Sequence, residues 1–269
     1  MRGLSLSRAW DETKGIVTHD GRLFASVALA LVALPAVLQG LISPKGMDSA
    51  APWWVDAVVF VCSLVALAGQ LALIRLALGP SITVGGAITH GIRRVPIYLL
   101  TVILILAALF IAAIPFAVVL TTLGVPLPAD GMPASPPAVI AALLYLALIF
   151  FVGVRMLMSA PVASAEGAGP LTILRRSWDL TAGNWWRLFA FIVMIIIAAF
   201  VLAIAVRTAS GLVVQLALGP PEPMSTSALV IAIVLALLNA VLTVILAVML
   251  ARIYVQLAGR GEAAGEVAR

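Results

Sequence analysis

Six apolar stretches, each long enough to cross a lipid bilayer, fill most of this 269-residue chain. An α-helix needs about 20 predominantly apolar residues to cross roughly 30 Å of hydrocarbon. All six stretches meet that requirement, so we predict an all-α, polytopic bundle of six transmembrane helices. The predicted spans are residues 22–43, 54–78, 95–121, 137–160, 187–217 and 227–257.

The composition excludes a water-soluble globule. The chain is 64% hydrophobic and 10% charged, whereas a soluble domain carries about 25% charged residues. Because nearly every apolar segment belongs to the same bundle, we predict one membrane domain over residues 1–258 and a disordered cytoplasmic tail over residues 259–269. Cys62 is the one cysteine of the chain, which excludes an intramolecular disulfide and favours a small buried apolar side chain.

The basic residues predict the orientation of the bundle. If the amino terminus is cytoplasmic, Lys45 and Arg207 are the only basic residues that lie on the outer side of the membrane or deep in a span. Such a bias is typical of cytoplasmic loops, so we predict that both termini are cytoplasmic. All but two of the basic residues are arginines, which favours a high-GC bacterium and therefore a multi-pass protein of the bacterial inner membrane. The basic residues predicted on the inner side are Arg2, Arg8, Lys14, Arg22, Arg75, Arg93, Arg94, Arg155, Arg175, Arg176, Arg187, Arg252, Arg260 and Arg269.

Two inner segments share a tryptophan motif. Residues 8–13 read Arg-Ala-Trp-Asp-Glu-Thr and residues 176–181 read Arg-Ser-Trp-Asp-Leu-Thr, and Arg-Leu-Phe-Ala follows at 22–25 and at 187–190. Self-similarity at one period is typical of repeat architectures. The predicted unit is a short inner-surface helix, a span out, an outer turn and a span back.

Two further features extend the repeat to three units. A Gly-Pro pair occurs at 79–80 and again at 169–170. Each even-numbered span also places one arginine near its inner end, and these are Arg75, Arg155 and Arg252. The sequence therefore predicts a threefold internal repeat.

The predicted inner-surface helices of the first and third units, which contain residues 8–13 and 176–181, have the apolar spacing of amphipathic helices. A helix of this kind lies along the head-group plane, with its tryptophans toward the membrane and its bases near lipid phosphate. Two interpretations stay open, because such helices either cap the ends of the bundle or contact lipid specifically. The predicted interfacial anchors are Trp10, Trp178, Trp185 and Trp186.

Arginines close to the membrane are the main candidates for a functional site, because ionisable groups are costly there. Taken singly, Arg75, Arg155 and Arg252 are typical of snorkelling anchors. Taken together, they predict a basic ring that binds an anionic head group at the inner mouth of the bundle. Arg175 and Arg176 are further candidates for lipid contact. The net charge is +5, and the basic residues lie next to membrane spans. We therefore predict membrane lipids rather than nucleic acid as the partner.

No set of residues suggests catalysis. Neither His19 nor His90 has a second histidine at metal-ligand spacing, and the sequence contains no nucleophile elbow or glycine-rich phosphate loop. We therefore predict no metal, no cofactor and no catalytic residue. Gln70 and Asn239 lie deep in spans and are predicted to line a polar bundle interior, where such side chains more often join helices by hydrogen bonds than coordinate a substrate.

One inner loop carries a family resemblance. Residues 161–170 read Pro-Val-Ala-Ser-Ala-Glu-Gly-Ala-Gly-Pro, residues 175–181 read Arg-Arg-Ser-Trp-Asp-Leu-Thr, and residues 183–187 read Gly-Asn-Trp-Trp-Arg. With these motifs the chain resembles the membrane domain found with glycerophosphoryl diester phosphodiesterases, including stand-alone bacterial members of six spans. The resemblance implies a helical membrane module whose phosphodiesterase activity belongs to a separate soluble domain. We expect this chain to lack that domain, because nothing outside the spans could form a barrel of about 250 residues.

The same loop contains two residues with predicted structural roles. Glu166 is expected to pair with Arg175 or Arg176, and Asn184 is expected to cap the amino terminus of the fifth span. The functional alternative for this loop is a surface that docks a partner or binds lipid.

Three functional hypotheses remain. The favoured one is a non-enzymatic module that contacts anionic lipids or docks a partner of envelope lipid metabolism. The alternative is a transporter or flippase-like carrier of lipids or small molecules, and a membrane-embedded hydrolase is disfavoured because no nucleophile and base can be named. A polar cavity reaching mid-membrane past Gln70 and Asn239 would favour transport. A packed bundle with its polar surface at the cytoplasmic end would favour the contact module.

Overall fold

A computed structural model describes residues 5–42, 52–79, 83–122, 135–219 and 225–267. Most of the three predicted outer loops, 44–53, 122–136 and 218–226, lies outside these residues. The described chain is helical throughout apart from short connections. Its helices are α1 (Leu6–Ala28), a π-helical turn (Leu29–Ala33), α2 (Leu34–Ile42), α3 (Trp53–Leu78), α4 (Val84–Thr122), α5 (Pro136–Arg155), α6 (Ser159–Ala165), α7 (Pro170–Thr181), α8 (Trp185–Leu218) and α9 (Thr226–Val267).

The predicted fold class is confirmed. Within the described residues, six helical stretches are long and apolar enough to cross a membrane, and each of them contains one predicted span to within a residue. The molecule is therefore a multi-pass, all-helical membrane protein. The six stretches are Leu6–Ile42, Trp53–Leu78, Val84–Thr122, Pro136–Ala165, Trp185–Ala217 and Thr226–Gly259.

The inner-surface helices that the repeat predicts before the first, third and fifth spans fold in three different ways. The first is continuous with its span in α1, where the backbone departs from helical geometry at Asp20. The second forms the opening turns of α4 without a separate helix. Only the third is a distinct short helix, α7, which the linker 182–184 joins to α8. The threefold repeat therefore stays a prediction.

The first membrane-crossing stretch accommodates a proline within its span. Pro35 has no backbone N–H to donate and its ring crowds the preceding turn. The chain forms the π-helical turn Leu29–Ala33 just ahead of this residue. Such turns are a common local solution inside α-helices. Helix α4, in contrast, continues through Pro96 and Pro115.

The bundle has one basic end, which we define as the end that carries Arg75, Arg155 and Arg252. The buried apolar residues of α3, α6 and α9 form much of the core near this end. At the opposite ends of α4 and α8, large apolar side chains are exposed, as surfaces facing lipid are expected to be. Within the predicted tail 259–269, the backbone of α9 is helical as far as Val267.

Helix α3 packs closely on two neighbours through glycines. A Cβ atom placed on Gly91 of α4 would lie 2.5 Å from the Ala68 carbonyl oxygen, and one placed on Gly69 would lie 2.7 Å from Leu31 Cβ. Small residues allow helices to approach closely, which matters in a membrane because lipid removes the hydrophobic drive for association. These contacts fix α3 between the first stretch and α4.

Candidate functional site

The fourth membrane-crossing stretch breaks at the basic end. Helix α5 ends at Arg155, a turn follows at residues 156–158, and the short helix α6 then enters the bundle. Every residue of α6 from Ser159 to Ser164 is buried. Irregular backbone at membrane depth is tolerated where protein covers it. Helix α6 thus fills the bundle at the basic end and places its carboxyl terminus beside α3 and α4.

Arg155 connects α5 to α7. Its Nη1 donates a hydrogen bond to the Trp178 carbonyl oxygen at 3.2 Å, and its guanidinium carbon lies 4.8 Å from the centre of the Trp178 ring. In return, the Ser177 hydroxyl donates to the Arg155 carbonyl oxygen at 2.8 Å, and Thr181 approaches the same oxygen at 3.4 Å. Each helix therefore supplies a side chain to the carboxyl end of the other.

Arg75 and His90 meet at the carboxyl end of α6. Arg75 Nη1 lies 3.4 Å from the Ser164 carbonyl oxygen, and His90 Nε2 lies 3.0 Å from the same oxygen. The Ser164 hydroxyl in turn donates to the Leu71 carbonyl oxygen at 3.3 Å. A single backbone carbonyl thus draws together side chains from α3 and α4.

Arg252 joins α9 to the carboxyl end of α3. Its Nη2 donates to the Ala77 carbonyl oxygen at 2.7 Å. Arg75, Arg155 and Arg252 therefore share one role, because each donates to a carbonyl in the last turn of another helix. Such carbonyls lack an intrahelical partner, and the negative end of the helix dipole favours a cation there.

The arginines of the predicted basic ring are therefore not left open for a lipid head group, as the arginines of a head-group site would be. All three arginines are half-buried, and each guanidinium is already engaged by a protein carbonyl. Their predicted contact with lipid stays a prediction. The observed hydrogen bonds assign them a structural role that the snorkelling interpretation did not include.

Glu166 accepts two hydrogen bonds just beyond α6. The Tyr254 hydroxyl donates to Glu166 Oε1 at 2.9 Å, and Arg176 Nε lies 3.2 Å from the same oxygen. Arg176 is one of the two partners that the sequence predicts for Glu166. The contact joins α9 and α7 through one carboxylate, and it engages Arg176, a candidate for lipid contact.

Helix α7 presents an outward face with both basic and apolar residues. Leu171, Arg175 and Trp178 recur at helical spacing, and all three are exposed, Leu171 by 62% and Trp178 by 40%. The opposite face packs on the bundle through Ile173, Ser177 and other buried residues. Among the predicted lipid contacts, Arg175 is exposed whereas Arg176 is half-buried.

The other predicted anchors differ in exposure. Trp10 is 42% exposed, Trp186 is 75% exposed and Trp185 is half-buried. Trp185 stacks on Phe189 with ring centres 5.0 Å apart. Asn184 precedes α8 as predicted, but its side chain makes no capping hydrogen bond.

The two residues that are predicted to line a polar bundle interior, Gln70 and Asn239, differ in exposure. Gln70 is half-buried, whereas Asn239 is exposed, so the placement of Asn239 inside the bundle is wrong. The residues of α9 that are buried near Asn239 are Ala236 and Ala240. Asn239 itself lies outside the buried face of α9 that these two alanines form. Two apolar grooves are described in the bundle, and neither is lined by Gln70 or Asn239.

A family model for a domain of unknown function, DUF7847, matches residues 4–257. The chain belongs to this family. No curated protein and no solved structure matches the chain. The DUF7847 description assigns no activity, and it does not test the resemblance to the phosphodiesterase membrane domain, which stays a prediction.

In this DUF7847 member, sequence reasoning missed two buried threonines on the inner faces of α1 and α7. Thr13 and Thr181 occupy the same place in the tryptophan motif, and both are buried. The Thr181 hydroxyl donates within α7 to the Ser177 carbonyl oxygen at 2.9 Å and lies 3.4 Å from the Arg155 carbonyl oxygen. The Thr13 hydroxyl donates within α1 to the Ala9 carbonyl oxygen at 2.7 Å and lies 3.6 Å from Met249 Sδ in α9. Their shared position in the motif was the available signal.

Proposed function

We propose that this chain is a non-enzymatic membrane module that contacts anionic lipid head groups at its basic end. The observation that carries the proposal is the outward face of α7, where Arg175 lies between exposed Leu171 and Trp178. A helix that combines exposed apolar, aromatic and basic side chains is suited to the head-group region. The same face offers a docking surface to a protein partner of envelope lipid metabolism.

The way α7 is held supports a position in the head-group plane. Ser177 faces α5 and donates to its last carbonyl, while Arg155 donates back to Trp178. With its inner face fixed in this manner, α7 keeps Arg175 outward. The tryptophan rings beside it supply the amphipathic surface that favours a membrane interface.

The charge distribution supports one orientation for the module. Arginine-rich ends face the cytoplasm in most membrane proteins, and the cytoplasmic leaflet carries anionic lipid. We place the basic end and both termini at the cytoplasmic face of the bacterial inner membrane. The resemblance to the phosphodiesterase membrane domain agrees with a role in lipid metabolism that is exerted through a partner.

Lipid retention tests the proposal. The protein is purified in mild detergent, offered equal amounts of phosphatidylglycerol and phosphatidylcholine, and examined by native mass spectrometry. Each basic residue near an anionic surface contributes about 1 kcal/mol, so R175Q should lower retained phosphatidylglycerol by about fivefold. R207Q is the matched control, because Arg207 is an exposed arginine of α8 outside the basic end. Equal retention of the two lipids by the unsubstituted protein would contradict the proposal.

The break between α5 and α6 is a feature of the described chain that favours the alternative of a carrier. Discontinuous helices line substrate sites in many transporters. Here, however, the break lies at the basic end, and Met158, Val162 and Ala163 beside it are fully buried. We therefore prefer the lipid-contact module. Transport is tested by reconstituting the protein and following labelled phosphatidylglycerol, and flipping above the rate of empty vesicles would favour the carrier.

A further inference from the structure

A pair of basic side chains lies on the inner face of α4, near the basic end of the bundle. His90 and Arg94 are four residues apart on this helix, and both are half-buried. Their spacing places them on the face that also holds the buried residues Ala87 and Gly91. Arg93 lies beside this face and is exposed. Helix α4 therefore directs Arg94 towards the bundle and Arg93 away from it.

His90 and Arg94 meet Arg75 of α3 around the carboxyl end of α6. His90 Nε2 lies 3.0 Å from the Ser164 carbonyl oxygen, and Arg75 Nη1 lies 3.4 Å from the same oxygen. A Cβ atom placed on Gly167 would lie 3.5 Å from Arg94 Nη2, so this guanidinium lies beside the glycine. The positive charges of Arg75 and Arg94 both act on the His90 ring. We call these three basic residues the Arg94 cluster.

Among the described residues, the Arg94 cluster has no acidic partner. Glu166 is the acidic residue of the neighbouring loop, but its Oε1 accepts from Tyr254 and pairs with Arg176 instead. Within the same part of the chain, Arg94 makes no hydrogen bond and no ion pair, and Arg75 makes no ion pair. Gathering like charges without a counter-ion costs free energy. An anion bound beside them would remove this cost.

Arg94 supplies the donors that are available to such an anion. Arg75 and His90 each have a nitrogen on the Ser164 carbonyl oxygen, so Arg75 contributes mainly its charge. The planar fork of N–H donors on a guanidinium matches the oxygens of a phosphate group, and charge-assisted hydrogen bonds of this kind are strong. Gly167 is exposed, and because it has no Cβ atom it leaves the space beside Arg94 Nη2 open. This space is the way to the guanidinium.

We propose that the Arg94 cluster binds a phosphate group, with Arg94 as the hydrogen-bond donor and Arg75 beside it as a supporting charge. A lipid head group and free phosphate both carry this chemistry, and the experiment distinguishes the two sources. The inference goes beyond the proposed function, because it does not depend on the outward face of α7. Arg175 belongs to that face, whereas Arg94 belongs to α4.

The chain offers two matched pairs of variants to test the site. R94Q removes the donor, and R93Q removes the same charge from the exposed neighbouring position. G167L fills the space beside Arg94, whereas a Cβ atom on Gly169 meets no atom within 4 Å, so G169L leaves that space free. Neither glycine has a positive φ, so leucine is accommodated at both positions. R94Q and G167L should weaken binding by about tenfold, and R93Q and G169L should leave it unchanged.

The experiment is isothermal titration calorimetry of the full chain in a neutral detergent at constant ionic strength. Inorganic phosphate, phosphatidylglycerol and acetate are the separate probes. Binding of inorganic phosphate that is weakened only in R94Q and G167L supports a site for free phosphate, and the same pattern with phosphatidylglycerol alone supports a lipid source. Binding of neither probe, equal losses in R93Q and R94Q, or acetate bound as tightly as phosphate would overturn the proposal. If R94Q fails to fold, the comparison of G167L with G169L decides.

Two outcomes separate this inference from the proposed function. If R175Q lowers retention of phosphatidylglycerol while neither R94Q nor G167L weakens binding of any probe, the Arg94 cluster is not a phosphate site and the proposed function stands. If inorganic phosphate binds through Arg94 while the unsubstituted protein retains phosphatidylglycerol and phosphatidylcholine equally, the phosphate site stands and the proposed function fails.

Discussion

Arg155 and Trp178 are joined twice, through the backbone and through the ring. Arg155 Nη1 donates to the Trp178 carbonyl oxygen at 3.2 Å, while the guanidinium carbon lies 4.8 Å from the Trp178 ring centre. Because the Ser177 hydroxyl donates to the Arg155 carbonyl oxygen, α5 and α7 cap each other. This pairing fixes the orientation of α7, and with it the outward position of Arg175.

Removing the guanidinium should loosen α7. A hydrogen bond from a charged group contributes about 1.5–3 kcal/mol when buried, and Arg155 is half-buried, so we expect R155Q to lose about 1–2 kcal/mol. R155K should not restore the loss, because an ammonium lacks the planar fork and the stacking of arginine. Thermal unfolding in detergent measures the effect. A stability equal to that of the R207Q control would contradict the capping role.

The carboxylate of Glu166 should couple energetically to Tyr254. Their hydrogen bond is 2.9 Å long and Tyr254 is 8% exposed, so a double-mutant cycle of E166A and Y254F should give a coupling of about 1–2 kcal/mol. The exposed pair Arg8 and Glu12 is the control, and its coupling should stay below about 0.5 kcal/mol. Additive effects at Glu166 and Tyr254 would show that the observed contact contributes no stability.

Two glycine-to-alanine changes should affect stability in opposite directions. In G91A the new methyl group would lie 2.5 Å from the Ala68 carbonyl oxygen, and such overpacking costs about 1–3 kcal/mol. In G153A the methyl group meets no atom within 4 Å, and the better helix propensity should add up to about 1 kcal/mol. Melting temperatures of the two variants check the prediction. A neutral or stabilising G91A would mean that α3 and α4 pack less closely.

The six membrane crossings were predictable because apolar length alone decides them. The predicted span 54–78 and the observed α3, Trp53–Leu78, differ by one residue. The surface segments were less predictable, because their division from the spans depends on a few backbone angles. At Asp20 a departure from helical geometry leaves α1 continuous, whereas Ala182 ends α7 in extended backbone.

The break after α5 had a signal in the sequence that pattern reading missed. Apolar residues continue through 156–158, so hydropathy predicts an unbroken span. Pro161, however, cannot donate to the carbonyl four residues earlier, and its ring crowds that turn. The arginine contacts had no such signal. Sequence places Arg252 near the end of its span, but its choice of the Ala77 carbonyl depends on how α3 and α9 pack.

Labelling of introduced cysteines tests most directly whether the basic end faces the cytoplasm. In a C62A background, R175C reports on the basic end and W53C on the opposite end, and both positions are exposed, Trp53 by 81%. We predict that a membrane-impermeant maleimide labels R175C only in inverted vesicles and W53C only in intact spheroplasts. Labelling of both cysteines from the same side, or of R175C from outside the cell, would contradict the account.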